Sequence, residues 1–344
     1  MSPPPGYPWT REPGTTGGVD MTGTSMLRRA LVAFLSTAIA IALLAGPAAA
    51  TKPPRTIAAL GDSITRAYNS DGPGCPTGPA LDCPKNSWAT GTNPLVDSFR
   101  ERLDAAFPGP LIAYNDAVSG ARAVHLLAQA EAAASQDPDL VLIEIGANDA
   151  CASTPTPTAT FREQVRAALE ALVEANPKVY IQLMSIPDIN QLREIFTEPP
   201  DQNALTRWSL FNVCQGLLAN PLSTEQADEE RREAFRAQVI AYNEALAEVC
   251  AEFKRCRWDD YAVFNSGFTT TDVATVQNTS GIDIPPFNQI PIFGSGNANS
   301  TADYFHPSTS GQARLAEAAW ETTFADGRNR KGGAVAVAAA QPAP

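Results

Sequence analysis

The chain has 344 residues, a formal net charge of −12 and 44% hydrophobic residues. That is long and apolar enough for a sizeable folded core, which excludes a disordered or collagen-like chain. The acidic balance disfavours binding to nucleic acid and tight docking on anionic lipid.

In chain order, residues 1–25 are rich in Pro, Gly and Thr and read as an upstream extension. Residues 26–50 follow a different pattern: Arg28 and Arg29, an apolar run over 30–44, then Ala48-Ala49-Ala50. Charged, apolar and small-residue regions in that order predict a signal peptide cleaved after Ala50, so the expectation is a secreted protein without a retained membrane anchor. Removing this stretch takes away Arg11, Arg28 and Arg29 against Glu12 and Asp20, so the remainder is more acidic still.

The first predicted strand is Thr56-Ile57-Ala58-Ala59-Leu60, followed at once by Gly61-Asp62-Ser63-Ile64-Thr65. Gly61 allows a sharp turn at the strand end, and a serine turned out there is placed to act as a nucleophile. Segment 68–92 has no regular pattern. Helical periodicity spans 93–107, a second strand runs over 111–114, and Asn115-Asp116-Ala117-Val118-Ser119-Gly120-Ala121 follows it. Gly120 lets a backbone N–H approach a substrate closely. A helix is expected over 121–134. It carries His125, one of two histidines in the chain, which reads as structural or surface.

Leu140-Val141-Leu142-Ile143-Glu144-Ile145 predicts a third strand, leading into Gly146-Ala147-Asn148-Asp149, where the Asn148 amide is a candidate oxyanion donor. Phe161, Val165, Leu169 and Leu172 mark a helix, and Val179 to Met184 a fourth strand. Segment 188–222 shows no pattern and reads as a long loop. Ser223 and Gln226 suggest a capping box opening a long helix with the apolar stripe Phe235, Val239, Tyr242, Leu246, Val249 and Phe253. A fifth strand falls within 257–264.

The irregular segment 265–302 contains Ile282-Asp283-Ile284-Pro285-Pro286-Phe287-Asn288-Gln289-Ile290-Pro291-Ile292-Phe293, proposed as a wall of an acyl-chain pocket. Next comes Asp303-Tyr304-Phe305-His306-Pro307-Ser308, in which Asp303 can reach the ring of His306 on one turn of chain. His306 is therefore the candidate general base for Ser63, with Asp303 fixing its tautomer. A helix is expected from Ser308 to about Phe324, and residues 326–344 read as a disordered tail. Strands alternating with helices predict a single three-layer α/β/α domain over 51–325, with a mostly parallel five-stranded sheet.

The order Ser63, Gly120, Asn148, His306 resembles the SGNH or GDSL hydrolase family. The resemblance implies that Ser63 is the nucleophile and that the Ser63 and Gly120 N–H groups with the Asn148 amide form the oxyanion hole. It further implies that Asp303 and His306 supply the base. Met184-Ser185-Ile186-Pro187-Asp188 and the spread of cysteines look like the secreted, disulfide-bonded actinobacterial esterases and lipases of this family. The expected reaction is hydrolysis of a small-molecule or lipid carboxylic ester through an acyl-enzyme by a monomer, with no metal and no cofactor. Activity is expected to rise with pH through about 6.5, the ordinary histidine value. A polysaccharide O-acetyl esterase is the main alternative, and a non-catalytic secreted binding protein on the same fold the second.

All six cysteines follow residue 50, and none forms a Cys-x-x-Cys spacing, which argues for disulfides over a zinc site. Proximity favours Cys75–Cys83 and Cys250–Cys256, leaving Cys151–Cys214, which would brace the loop carrying Asn148.

Overall fold

A computed structural model describes residues 53–70, 75, 81–275 and 302–322. The predicted signal peptide, the upstream extension, the tail and the 282–293 segment all lie outside the described residues.

Five strands form one parallel sheet: β1 (Thr56–Gly61), β2 (Ile112–Asn115), β3 (Leu140–Glu144), β4 (Tyr180–Leu183) and β5 (Cys256–Trp258), in the order β2-β1-β3-β4-β5. β1 and β3 are apolar on both faces and almost wholly buried, so they take the inside of the sheet, with Ala58 level with Val141 and Gly61 with Glu144. β2 is half exposed and forms an edge.

The helices are α1 (Phe99–Ala106), α2 (Ala123–Ala134), α3 (Ala147–Cys151), α4 (Thr158–Ala175), α5 (Ile189–Thr197), α6 (Gln202–Leu210), α7 (Gln215–Leu218), α8 (Gln226–Glu252) and α9 (Thr309–Trp320). From β1 the chain steps outward to β2, then reverses and proceeds through β3, β4 and β5. Right-handed crossovers consequently put α1 on one face and α2, α4 and α8 on the other. α2 packs on α4 and α4 on α8, while α9 joins α1, where the Phe99 and Trp320 rings meet edge to face at 5.3 Å. The reversal lies between β1 and β3. In open parallel sheets that is where ligands sit, outside the carboxyl ends of the strands.

Several sequence expectations need correction. α1 begins at Phe99 and not near residue 93, because Ser98 caps it: the Glu101 N–H donates to Ser98 Oγ at 3.2 Å, and the Glu101 carboxylate accepts from the Ser98 N–H at 3.0 Å. The capping box expected at Ser223 does not form. Its Oγ accepts from the Glu225 N–H two residues on, and α8 starts without a side-chain cap. Segment 188–222 is not a loop, since it holds α5, α6 and α7. Asp188 and Asp201 cap the first two, and Leu192, Phe196, Ala204 and Trp208 bury their apolar sides. β5 is only three residues long; beyond it the Asp259 carboxylate gathers Tyr261 N–H, Val263 N–H and Ser185 Oγ–H into a tight turn.

The three disulfides are Cys75–Cys83 and Cys250–Cys256, the pairs close in sequence, and Cys151–Cys214, the pair that remains. The second ties the end of α3 to the start of α7, and the third ties α8 to β5.

Candidate active site

Gly61 ends β1 with φ +143°, and a Cβ there would lie 2.1 Å from the Glu144 carbonyl oxygen on the neighbouring strand. Only glycine lets the chain leave the sheet at this point. The turn that follows is held by its own hydrogen bonds. Asp62 Oδ1 accepts from the Ile64 N–H at 2.9 Å, and the Ser63 carbonyl accepts from the Tyr68 N–H at 2.9 Å. Ser63 thus sits just beyond the carboxyl end of β1, with its hydroxyl facing a cleft.

His306 is fixed by its local sequence. Asp303 Oδ1 accepts from the backbone N–H groups of Phe305 and His306, each at 2.9 Å, which curls residues 303–306 and brings the ring back over the carboxylate. His306 Nδ1 lies 2.6 Å from Asp303 Oδ2, and Nε2 lies 2.9 Å from Ser63 Oγ. A carboxylate at Nδ1 calls for the tautomer with the proton on that nitrogen. The Nε2 lone pair is then free to accept the Ser63 proton. The segment is pinned from outside: the Trp208 Nε1–H of α6 donates to the Tyr304 carbonyl at 2.9 Å, and the His306 carbonyl accepts from the Ala274 N–H at 2.8 Å.

Asn148, at the start of α3 beyond β3, reaches the same place. Its amide donates to the Ala121 carbonyl at 3.0 Å and to Asp62 Oδ2 at 3.2 Å. Both amide hydrogens are engaged, so donation to a substrate oxygen requires the longer bond, to Asp62, to give way. Gly120 (φ +81°) is exposed in the turn after β2, beside a groove shared with Val118, Ser119 and His125. Among the described residues the N–H groups of Ser63 and Gly120 have no hydrogen-bond partner, which leaves both able to donate to a ligand. His125 is away from this chemistry: exposed on α2, it accepts the Arg122 N–H at its Nδ1 and helps to close the helix start.

The electrostatics follow from burial. Burial alone would raise the Asp303 carboxyl, but the charge of His306 and hydrogen bonds from His306 and Asn69 outweigh it and hold the group below the usual carboxylate range. Asp62 behaves oppositely: burial pushes it up to about 6, against the opposing pull of the Ile64 N–H and His306. Burial likewise raises Glu144 well above its ordinary value, with Asp62 and Asp259 adding like charge.

Beside Ser63 and His306 the cleft is walled chiefly by apolar side chains: Ile64, Leu192, Phe264, Phe268, Phe305 and Pro307. Leu192 comes from α5, within the 188–222 segment whose sequence shows no regular pattern. No Trp or Tyr is among the described residues that line it. Sequence reasoning missed three further neighbours. Asn69 donates to Asp303 Oδ2, the Tyr68 ring centroid is 4.7 Å from that of His306, and Asp62 lies wholly buried beneath Asn148. No sequence pattern signals Asn69, whose contact spans 234 residues. Among the described residues no group of three or more His, Cys, Asp or Glu is arranged to hold a metal ion.

Comparison with known proteins adds a family and several relatives. The family model described as GDSL-like Lipase/Acylhydrolase matches residues 57–319. Membrane-associated phospholipase B1 of Rattus norvegicus is 27% identical over 199 residues, which is 48% of this chain; the chain spans only 13% of the length of that relative. Among solved structures, an extracellular lipase from Streptomyces rimosus is 18% identical with a TM-score of 0.41, covering 78% of this chain and 98% of its own. An acetyl xylan esterase, AlAXEase, is 13% identical with a TM-score of 0.43, covering 78% of this chain and 100% of its own.

Proposed function

From the premise that the chain belongs to the GDSL-like lipase/acylhydrolase family and is an ester hydrolase, we propose that Ser63 is its nucleophile, His306 its general base and Asp303 the residue that orients the base. The observation that carries this reading is the unbroken run of Ser63 Oγ, His306 and Asp303 at 2.9 and 2.6 Å. Ser63 Oγ attacks the ester carbonyl carbon as His306 Nε2 takes its proton. The C–O bond to the alcohol breaks with that proton delivered to the leaving oxygen. Water, deprotonated by His306, then attacks the acyl-enzyme, and the acid leaves as Ser63 regains its proton. The developing oxyanion is held by the Ser63 and Gly120 N–H groups and by Asn148 once its bond to Asp62 is exchanged.

The apolar walls of the cleft favour an acyl chain over a sugar, and the absence of Trp and Tyr from its described lining argues in the same direction. We therefore read the substrate as an acyl ester of a lipid or small alcohol. Secretion is part of the proposal: residues 26–50 as signal peptide, 51–325 as the catalytic domain and three disulfides that suit an oxidising compartment. So are a monomeric state and the actinobacterial branch of the family. A panel of nitrophenyl esters of increasing chain length, run beside acetylated xylan, tests the substrate assignment. Higher kcat/KM for medium-chain esters than for acetate is expected, and faster turnover of xylan acetyl groups would refute it.

A further inference from the structure

The turn that carries Ser63 also carries a second polar contact to the catalytic carboxylate. Asn69 lies six residues beyond Ser63, is 5% exposed, and donates from Nδ2 to Asp303 Oδ2 at 2.6 Å. This is the same oxygen that faces His306 Nδ1. An ionised carboxylate only accepts, so the amide must present its N–H there, and Asn69 Oδ1 is left buried without a partner. The Asn69 side chain therefore spends its single hydrogen bond on Asp303.

The backbone around it is built to hold that contact. Asn69 sits at φ +54° and Ala67 at φ +51°, left-handed conformations that cost little for asparagine and more for alanine. The Asn69 N–H donates to the Leu81 carbonyl at 2.9 Å, and the Ala67 carbonyl accepts from the Cys83 N–H at 3.2 Å. Cys83 is in turn bonded to Cys75. The disulfide loop thus anchors the end of the Ser63 turn opposite the nucleophile. The contacts close a ring: Ser63 to His306, His306 to Asp303, Asp303 to Asn69, and Asn69 back to Ser63 along the turn.

We propose that Asn69 is a positioning residue for ester hydrolysis, acting through Asp303 to set both the orientation and the basicity of His306. The proposal rests on the catalytic reading of Ser63, His306 and Asp303 given above. Asp303 Oδ2 accepts from both Nδ1 of His306 and Asn69. The amide donor fixes the carboxylate plane and withdraws some of its charge from the imidazolium that forms when Ser63 loses its proton. Without Asn69 the carboxylate turns more freely, which slows the reaction. Its charge is also less shared, which makes the imidazolium harder to deprotonate. The other charged or titratable groups around the pair are Asp62, interacting with His306 from below, the Tyr68 phenol against the ring, and Arg207, close enough to feel the charge of Asp303.

The test compares pH–rate profiles of kcat and kcat/KM on a nitrophenyl ester for the wild type, Asn69→Gly, Asn69→Asp and Ser63→Ala, using the whole secreted chain. Glycine keeps the left-handed backbone and removes only the donor, while aspartate keeps the size and replaces the donor with a like charge. The expected result for Asn69→Gly is a fall in kcat of about tenfold with KM little changed, the value of one hydrogen bond to a charged group. Its acidic limb should move up by about half a pH unit or more. Asn69→Asp should move that limb further in the same direction. A wild-type kcat and limb in Asn69→Gly would overturn the proposal, as would a loss of rate in both Asn69 variants with the limb unmoved, which is what a purely structural residue gives. Should one variant not fold, the limb of the other decides. Ser63→Ala separates the two levels of argument: if it still turns over, the catalytic reading fails, whereas if it is inactive and Asn69→Gly is unchanged, only the role of Asn69 falls.

Discussion

His306 Nε2 lies 2.9 Å from Ser63 Oγ, although 243 residues separate them in the chain. The two are joined by the ends of the fold: Ser63 follows the first strand, and His306 precedes α9, whose Gln312 Nε2–H donates to the Ile64 carbonyl at 2.8 Å. Helix α9 and the turn that carries Ser63 are thus bound directly to each other. His306→Ala is expected to lower kcat by about 10⁴-fold or more with little change in KM or melting temperature. Asp303→Asn removes the acceptor that selects the tautomer and is expected to cost about 10²- to 10⁴-fold. Steady-state kinetics with a melting curve for each variant check both.

The apolar cleft gives a graded prediction. Each methylene buried against Leu192, Phe264 and Phe268 is worth about 0.8 kcal/mol, so kcat/KM should rise roughly three- to fourfold per CH₂ until the cleft is full. Leu192→Trp fills it from the α5 side. The increment should vanish for longer esters, while the acetyl ester is hydrolysed nearly as before; an unaltered chain-length profile would show that the acyl group lies elsewhere.

The Cys151–Cys214 bridge closes a separation of 63 residues. In the chain-entropy model a ring of that size is worth about 4 kcal/mol, against about 2–2.5 for the short rings. Cys151→Ser with Cys214→Ser should therefore lower the melting temperature by about 10 °C. Activity should also fall, because Cys151 lines the cleft and follows Asn148 on the same short helix. Calorimetry and ester hydrolysis on the double variant give the two readings.

Asp62 makes stability depend on pH in a direction opposite to most carboxylates. Its folded value is raised by burial from 3.8 to about 6, so between these values the folded chain holds a proton that the unfolded chain releases. Its contribution to stability is complete below about pH 4 and is lost as pH rises through about 6, by an amount of order 3 kcal/mol. Denaturation midpoints of the wild type and Asp62→Asn, measured across this range, should diverge, with the wild type losing ground relative to the variant as pH rises. Parallel curves would mean that Asp62 is ionised in the fold at an ordinary pH.

Much of this was legible in the sequence, for identifiable reasons. β1, β3 and β4 are short apolar runs ended by turns, and parallel strands covered on both faces must read that way. Asp303 and His306 interact within one turn of chain, so spacing alone suggested the contact. What escaped depends on groups far apart in sequence. Helices α5 and α6 are nine residues each, capped by aspartates amid prolines, too short for periodicity to stand out, yet they supply Leu192 to the cleft and Trp208 to the Tyr304 carbonyl. The bond of Asn148 to Asp62 and that of Asn69 to Asp303 depend on where four turns meet in space, which no local pattern records.

The most direct test of the central claim is covalent. A fluorophosphonate probe, followed by peptide mapping, should place a single adduct on Ser63 in step with loss of ester hydrolysis, and Ser63→Ala should show neither adduct nor turnover. An adduct at another serine, or hydrolysis that survives in Ser63→Ala, would contradict the account.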